Sequence, residues 1–312
     1  LITGGTGFIG SAVVRALVRA GARVRVLDND SRGSKQRLAD IASEIELILG
    51  DIREPGVVEG AAVGVESVLH LAAVNGTEFF YSKPEMVLEV AVKGMLNVLD
   101  ACRKHGIPEL FTASSSEVYQ TAPKIPTDET APLCVPDPLN TRYSYAGGKI
   151  ISELLTLNYG RKFMNRTVVF RPHNVYGPDM GREHVIPQFI LRMKELERSE
   201  APIRFPIQGT GAETRAFLFI EDFVAGLLMV MEHGRHLNIY HIGSMEETSI
   251  EDLARAVAHQ LGRKIAIEPG ELTVGSTLRR CPDTRKLNAL GFVPLVPLAE
   301  GLARTIPFYL AD

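Results

Sequence analysis

The sequence is short of cysteine, of long apolar runs and of basic clusters. It has 3 cysteines in 312 residues, Cys102, Cys134 and Cys281. They are few, odd in number and far apart, so they supply neither a disulfide framework nor a metal-ligand spacing. No metal site is expected, and a reducing, cytoplasmic setting fits best. No apolar run is long enough to cross a bilayer, so no membrane partner is expected. No basic tail or Lys/Arg run is present and the net charge is −3, which argues against a nucleic-acid partner. The chain opens directly in a strand, "LITGG", without a Met or a signal sequence, and at least one residue is expected to precede Leu1.

Hydrophobic residues make up 45% of the chain, enough for a large core in one domain or two closely packed ones. Short apolar runs alternate with helical patterns through the first half. "ARVRVLD", "IELILGD", "ESVLHLAAV", "ELFTASS" and "RTVVFRP" read as strands. "SAVVRALVRAG", "PEMVLEVAVKGMLNVLDACRKHG" and "KIISELLTLNYGRKF" read as helices, the first two ending in left-handed caps at Gly21 and Gly106. Such alternation predicts βαβ units and a doubly wound α/β fold, a parallel sheet with helices on both faces. After residue 174 Pro and Gly become frequent. A strand–helix pair is expected in "RAFLFIEDFVAGLLMVMEH", a strand in "LNIYHIG", and a helix opened by a capping box of Thr248 and Glu251.

Gly4, Gly7 and Gly10 fall at the turn from the first strand into the first helix. Glycine there lets backbone N–H groups approach a pyrophosphate at a helix N-terminus. Asp28 ends the next strand, where a carboxylate can accept hydrogen bonds from an adenosine ribose and would repel a 2′-phosphate, so NAD is expected rather than NADP. Asp51 ends the third strand, placed either to contact the adenine or to cap the following helix.

"RYSYAGGKIISE" holds Tyr145 and Lys149 four residues apart, on one helix face. A free phenol titrates near pH ~10 and is a poor base at neutrality. A neighbouring ammonium stabilises the phenolate, so Tyr145 becomes a candidate general base. Gly147 and Gly148 precede the lysine. Each costs roughly 1 kcal/mol within a helix, so either something packs very close there or the helix proper starts at Lys149.

With "GGTGFIG", "HLAA" at 70–73, "SSSEVY", "YSYAGGK", "RPHNVYGP", "GTGAETRAFLFIEDF" and "RRCPDTRKL" in order along the chain, the sequence resembles the extended short-chain dehydrogenase/reductase family, and within it the NAD-dependent nucleotide-sugar epimerases and dehydratases. The resemblance implies a Rossmann-type sheet with a smaller C-terminal α/β substrate-binding domain. Residues 1–173 would bind NAD, with 214–243 returning to that domain, and 174–213 with 244–312 would bind substrate. A homodimer through a four-helix bundle at about 84–105 and 145–163 is expected, although "MVLEVAVKGMLNVL" would serve an ordinary core too.

The resemblance also implies a chemistry. NAD oxidises a sugar C4 hydroxyl; Tyr145 takes the hydroxyl proton, Ser115 bonds the same oxygen, and Lys149 tunes Tyr145 and holds the nicotinamide ribose. The 4-keto sugar is then epimerised or dehydrated. The cofactor set is Gly4, Gly7, Phe8, Ile9 and Gly10 from the loop and Asp28, Asn29, Asp51 and Ile52 from the strand ends. Leu71, Ala72, Ala73, Ser114, Tyr145, Lys149 and Pro172 complete it. Ser115, Asn174, Val185, Arg215 and Arg280 are the expected contacts to the nucleotide sugar, with surface salt bridging the plainer role for the two arginines. Glu117 matches the glutamate with which dehydratases take the C5 proton; it could instead bond a helix terminus or an arginine. The alternatives are a UDP-glucuronate-type decarboxylase, a reductase that releases oxidised cofactor, and a non-catalytic NAD sensor. The sequence departs from the family text at His173, Gln120, Ala91 and "VNGTEFFYS", residues 74–82.

Overall fold

The computed structural model describes residues 1–196, 202–272 and 277–311. They form two compact units. The first comprises Leu1–Gln120, Pro132–Pro172 and Val224–Ile242; the second comprises Thr121–Ala131, His173–Phe223 and Gly243–Asp312.

The first unit is built on a seven-stranded parallel sheet. In chain order its strands are β1 (Ile2–Thr3), β2 (Val24–Asp28), β3 (Ile45–Leu49), β4 (Ser67–His70), β5 (Glu109–Ala113), β6 (Arg166–Pro172) and a last strand, Asn238–Ile242. Across the sheet the order is β3, β2, β1, β4, β5, β6 and Asn238–Ile242. The chain therefore reverses direction between β1 and β4, which opens a crevice at their carboxyl ends. This is the Rossmann arrangement. Val26, Leu27, Leu110, Val168, Val169 and Phe170 are fully buried, as strands covered on both faces require.

Helix α1 (Phe8–Arg19) follows the glycine loop, α2 (Pro55–Ala61) and the short α3 (Thr77–Ser82) come next, then α4 (Pro84–His105) and α5 (Ser144–Phe163). Gly21 and Gly106 take φ of 80° and 63°, closing α1 and α4 as their spacing predicts. The helix carrying Tyr145 starts at Ser144, not at Lys149. Gly147 and Gly148 are thus inside it, and close packing explains the second. A Cβ on Gly148 would lie 2.7 Å from the Cβ of Ala91 on α4, whereas one on Gly147 would meet nothing nearer than Val135 at 3.7 Å.

In the second unit, Glu247–Ser249, Thr214–Ala216 and Arg279–Arg280 form a three-stranded sheet, and Ile265–Pro269 pairs with Ile203–Ile207. The helix Ile250–Gln260 is capped by Ser249, whose side chain accepts from the Asp252 amide. The expected Thr248–Glu251 box is displaced by one residue because Thr248 is held in the strand, opposite Arg215.

Gly148→Ala is predicted to destabilise the protein by about 1–3 kcal/mol through overpacking, and Ala91→Gly in the same chain to recover most of that loss. Urea unfolding of the two variants checks it; no recovery in the double variant would mean that the α4–α5 approach is not what excludes a side chain at 148.

Candidate functional site

The glycine loop sits where β1 ends. Gly4 takes φ of 76°, and a Cβ on it would come within 2.7 Å of the Ala72 amide nitrogen; a Cβ on Gly10 would stand 2.1 Å from the Gly4 carbonyl oxygen. The loop is therefore pressed against Leu71–Ala73, leaving Gly7 as the N-cap of α1 without a side-chain cap. The first amides of α1, those of Phe8, Ile9 and Gly10, are available to an anion at this helix end. Asp28 lies beside them. Its carboxylate accepts from the Thr6 amide at 2.9 Å and from the Asp30 amide at 3.0 Å. Two hydroxyls, Thr6 Oγ1 and Ser114 Oγ, are buried without a hydrogen-bond partner among the described residues. A backbone cradle that rejects side chains, a carboxylate at its edge and two orphaned hydroxyls fit a dinucleotide.

Asp51 does not cap α2, whose N-cap is Glu54. Its carboxylate instead binds Arg53 through backbone and guanidinium and accepts from Asn29 Nδ2 at 3.0 Å. The Arg53 charge holds it below the usual carboxylate range. Asn29 and Asp51 are thus joined across the ends of β2 and β3, with Ile52 buried behind them.

At the ends of β5 and β6 the unit brings together Ser115, Glu117, Tyr145 and Lys149, and Pro172 closes β6. Ser115 caps the short 3-10 turn Ser116–Tyr119, its hydroxyl accepting from the Glu117 amide at 3.2 Å. It also lies near enough to Tyr145 to act on the phenol. Lys149 is 4% exposed; its Nζ donates to the Ala113 carbonyl at 2.7 Å and stands 5.9 Å from the centre of the Tyr145 ring.

The electrostatics differ from the simple expectation that the lysine lowers the tyrosine. Burial pushes Tyr145 up to about 12, the Ser115 side chain pulls the other way, and the Glu117 carboxylate adds to the rise. Burial brings Lys149 down to about 8, opposed by Glu153. His70, bonded to Thr3 Oγ1 through Nδ1 at 2.7 Å, is brought down to about 3 by burial and by Lys149, so it is neutral. Desolvation wins because this end of the sheet is closed off. Phe80 on α3 stacks on Tyr145 with ring centroids 5.0 Å apart and planes 15° apart, and both residues are over nine-tenths buried.

Phe80 was not among the candidate residues read from the sequence. The signal for it was the unusual text of "VNGTEFFYS", which gives no sign of which aromatic turns inward. Gln120 shows why glycine is usual after "VY". It holds φ 48° and ψ −90°, a conformation that costs a side-chain-bearing residue about 1–3 kcal/mol. Its Nε2 donates to the Glu117 carbonyl at 2.7 Å and reaches the Glu117 carboxylate at 3.4 Å.

The remaining candidates lie in the second unit. Asn174, at φ 38°, donates through Nδ2 to the Ala216 carbonyl at 3.1 Å. Arg215 and Arg280 are partners across adjacent parallel strands. Arg215 donates to the Thr277 and Thr214 carbonyls, both at 2.7 Å, and Arg280 to Thr277 Oγ1 at 3.1 Å. The register sets the two arginines level on neighbouring strands. Val185 opens the helix Val185–Glu195. Among the described residues, no group of three His, Cys, Asp or Glu is placed to hold a metal ion, and no helix is long and apolar enough to cross a membrane.

Residues 1–243 match the model of the NAD dependent epimerase/dehydratase family. A dTDP-4-dehydro-6-deoxy-D-allose reductase of Streptomyces bikiniensis is 31% identical over 99% of this chain and 95% of its own length. UDP-glucuronic acid decarboxylase 2 of Arabidopsis thaliana is 32% identical over 97% of this chain, which spans 66% of that protein. Among solved structures, a dTDP-glucose 4,6-dehydratase of Streptomyces venezuelae with NAD bound superposes with a TM-score of 0.88 at 28% identity, covering 100% of this chain and 96% of that one.

Replacing Phe80 by Ala should admit water to the Tyr145 ring and bring its titration down from about 12 toward the ordinary ~10 of a solvated phenol. Ultraviolet titration, with Tyr145→Phe as the reference that lacks this signal, measures the midpoint. An unchanged midpoint would mean that Phe80 does not supply the desolvation.

Proposed function

The chain belongs to the NAD dependent epimerase/dehydratase family, and from that membership we propose that it is an enzyme acting on a nucleotide-diphosphate sugar through a 4-keto intermediate, with NAD recycled in each turnover. The observation that carries this reading is the gathering of half-buried Ser115 with buried Tyr145 and Lys149 at one end of the sheet, Ser115 acting on the Tyr145 phenol and Lys149 lying one helical turn on.

NAD, when bound, accepts the hydride from the sugar's C4 and gives it back. The protein's part is to move the proton. Tyr145 takes the proton of the C4 hydroxyl as the C4–H bond breaks, leaving C4=O. Ser115, whose hydroxyl accepts from the Glu117 amide, donates to the same sugar oxygen and so holds it against Tyr145. The phenol alone resists ionising, since burial sets it at about 12; the Lys149 ammonium opposes that resistance as the phenolate forms. Lys149 turns from the Ala113 carbonyl toward the nicotinamide ribose in this reading. Asp28 takes the adenosine ribose and the loop amides take the pyrophosphate, while Asn174, Arg215 and Arg280 serve the substrate's nucleotide and diphosphate and Val185 its nucleotide.

Glu117 decides the subclass. A hydrogen on C5, next to the C4 carbonyl, is acidic enough for a positioned carboxylate to remove. If Glu117 takes it and passes it to the departing C6 hydroxyl, water leaves, the C5=C6 bond so formed takes the hydride back at C6 and a solvent proton at C5, and the enzyme is a lyase. If it does not, the keto group is reduced on its other face and the enzyme is an isomerase. The charge of Glu117 is felt at the Tyr145 phenol, which supports a carboxylate close to the reacting sugar. A decarboxylase is the alternative within the same chemistry, supported by the similarity to a UDP-glucuronic acid decarboxylase.

A homodimer through α4 and α5 belongs to this proposal. It is supported by the partly exposed Leu88, Ile151, Leu154 and Phe163 on those helices. The free thiols of all three cysteines support the cytoplasmic setting.

The test is mass spectrometry of products from a panel of UDP-, GDP-, dTDP- and CDP-sugars, uronic acids included, incubated with NAD. Loss of water, loss of CO2, or a new isomer of equal mass is expected from one member. Tyr145→Phe should lower that turnover by about 100-fold or more while NAD stays bound. Steady consumption of added NADH, or unchanged turnover in Tyr145→Phe, would contradict the reading.

A further inference from the structure

One turn beyond Lys149 on α5 lies Glu153, 3% exposed, and against it Arg171 of β6, 1% exposed. The pair is bidentate. Arg171 Nε donates to Glu153 Oε1 at 2.8 Å and a terminal guanidinium nitrogen to Oε2 at 2.6 Å. The same guanidinium donates to the Tyr119 hydroxyl and lies 4.9 Å from the centre of that ring. Tyr119 also bonds His241 Nε2 of the strand Asn238–Ile242. One arginine thus ties the helix that carries Tyr145 and Lys149 to the turn that carries Glu117 and is capped by Ser115.

A buried ion pair is a poor device for stability alone, because the cost of desolvating both charges offsets their attraction. Apolar residues of similar volume would hold the helix against the sheet as well. What an apolar pair would not do is act on a charge one turn away, and residues at i and i+4 on a helix are neighbours. The groups facing the Lys149 ammonium are Tyr145 and Glu153 on its own helix, the Ala113 carbonyl on β5 and the neutral His70 on β4. Glu117, on the turn, acts on Tyr145. The carboxylate acting on the ammonium is therefore that of Glu153.

We propose that Glu153, clamped by Arg171, is a positioning residue that acts through Lys149: its buried carboxylate, one helical turn away, sets an opposite charge beside the ammonium, and the clamp fixes α5 against the turn bearing Ser115 and Glu117. The proposal rests on the reading that a charged Lys149 assists Tyr145. The sign follows from the site. Burial lowers Lys149 to about 8 and Glu153 opposes that drop. Without Glu153 the titration moves further down, and the ammonium is lost at a lower pH.

The double variant Glu153→Leu/Arg171→Met removes both charges together, so neither is left buried and unpaired, and Tyr119 keeps His241 as a partner. Glu153→Gln/Arg171→Gln removes the charges while keeping hydrogen-bonding groups, and it decides the matter if the first variant does not fold. Carbon-13 NMR of lysine-labelled protein, with Lys149 assigned by its absence from Lys149→Met, gives the Lys149 titration directly at matched NAD content. The expected result is a midpoint roughly half a pH unit lower than in the native protein, because the opposing charge of Arg171 leaves with that of Glu153. The alkaline limb of kcat/KM should move down by the same amount. An unchanged Lys149 midpoint in a folded variant would overturn the proposal and reduce the pair to packing. If the midpoint moves but the native protein turns over no nucleotide sugar, the proposed function fails and the Glu153–Lys149 coupling stands.

Discussion

The burial of the Lys149 ammonium at the end of β5 constrains much of the first unit. An ammonium taken out of water costs several kcal/mol unless it is bonded and balanced. The Ala113 carbonyl gives it a hydrogen bond and Glu153 gives it an opposite charge. The Ala113 contact requires α5 to lie close to β5. Alongside, Gly148 lets α5 approach α4 more closely than any side chain would permit. Glu153 in turn is held by Arg171, whose remaining reach goes to Tyr119 and hence to the turn that begins at Ser115. Tyr145 shares the dry environment, closed on one face by Phe80. The candidate base is thereby raised while its cationic neighbour is lowered, both by the same exclusion of water. Groups set in opposite directions by one environment are suited to exchanging protons with a bound substrate.

Much of this was legible in the sequence where it depends on local rules. The alternation of short apolar runs with helical stretches gave the parallel sheet, and the caps at Gly21 and Gly106 follow from backbone conformation alone. Tyr145 and Lys149 share a helix face because their spacing makes them. What the sequence could not show depends on contacts between distant elements. Arg171 and Glu153 meet only because β6 and α5 are packed in one register. The choice of Phe80 over Phe79 depends on how a six-residue helix is rotated. The direction of the Tyr145 shift could not be foreseen from a lysine four residues away, because desolvation is set by the whole fold. Gln120 is an intermediate case. The family's usual glycine hinted at a special backbone there, and the observed φ and ψ supply the reason.

The chemistry turns on what happens after C4 is oxidised. In the proposed reaction Tyr145, Ser115 and Lys149 would serve every branch equally, so they do not choose among the family's reactions. In the proposed reaction Glu117 distinguishes the branches, and its strained neighbour Gln120 donates both to its carbonyl and to its carboxylate.

The proposed reaction requires that the hydride leave the sugar's C4 and return to the same molecule. It is tested most directly with the turned-over nucleotide sugar carrying deuterium at C4, the product being read by mass spectrometry and NMR in ordinary water. Retention of the label, at C4 after epimerisation or decarboxylation or at C6 after dehydration, is the predicted result. Loss of the label to solvent, or its accumulation in free NADH, would contradict the account.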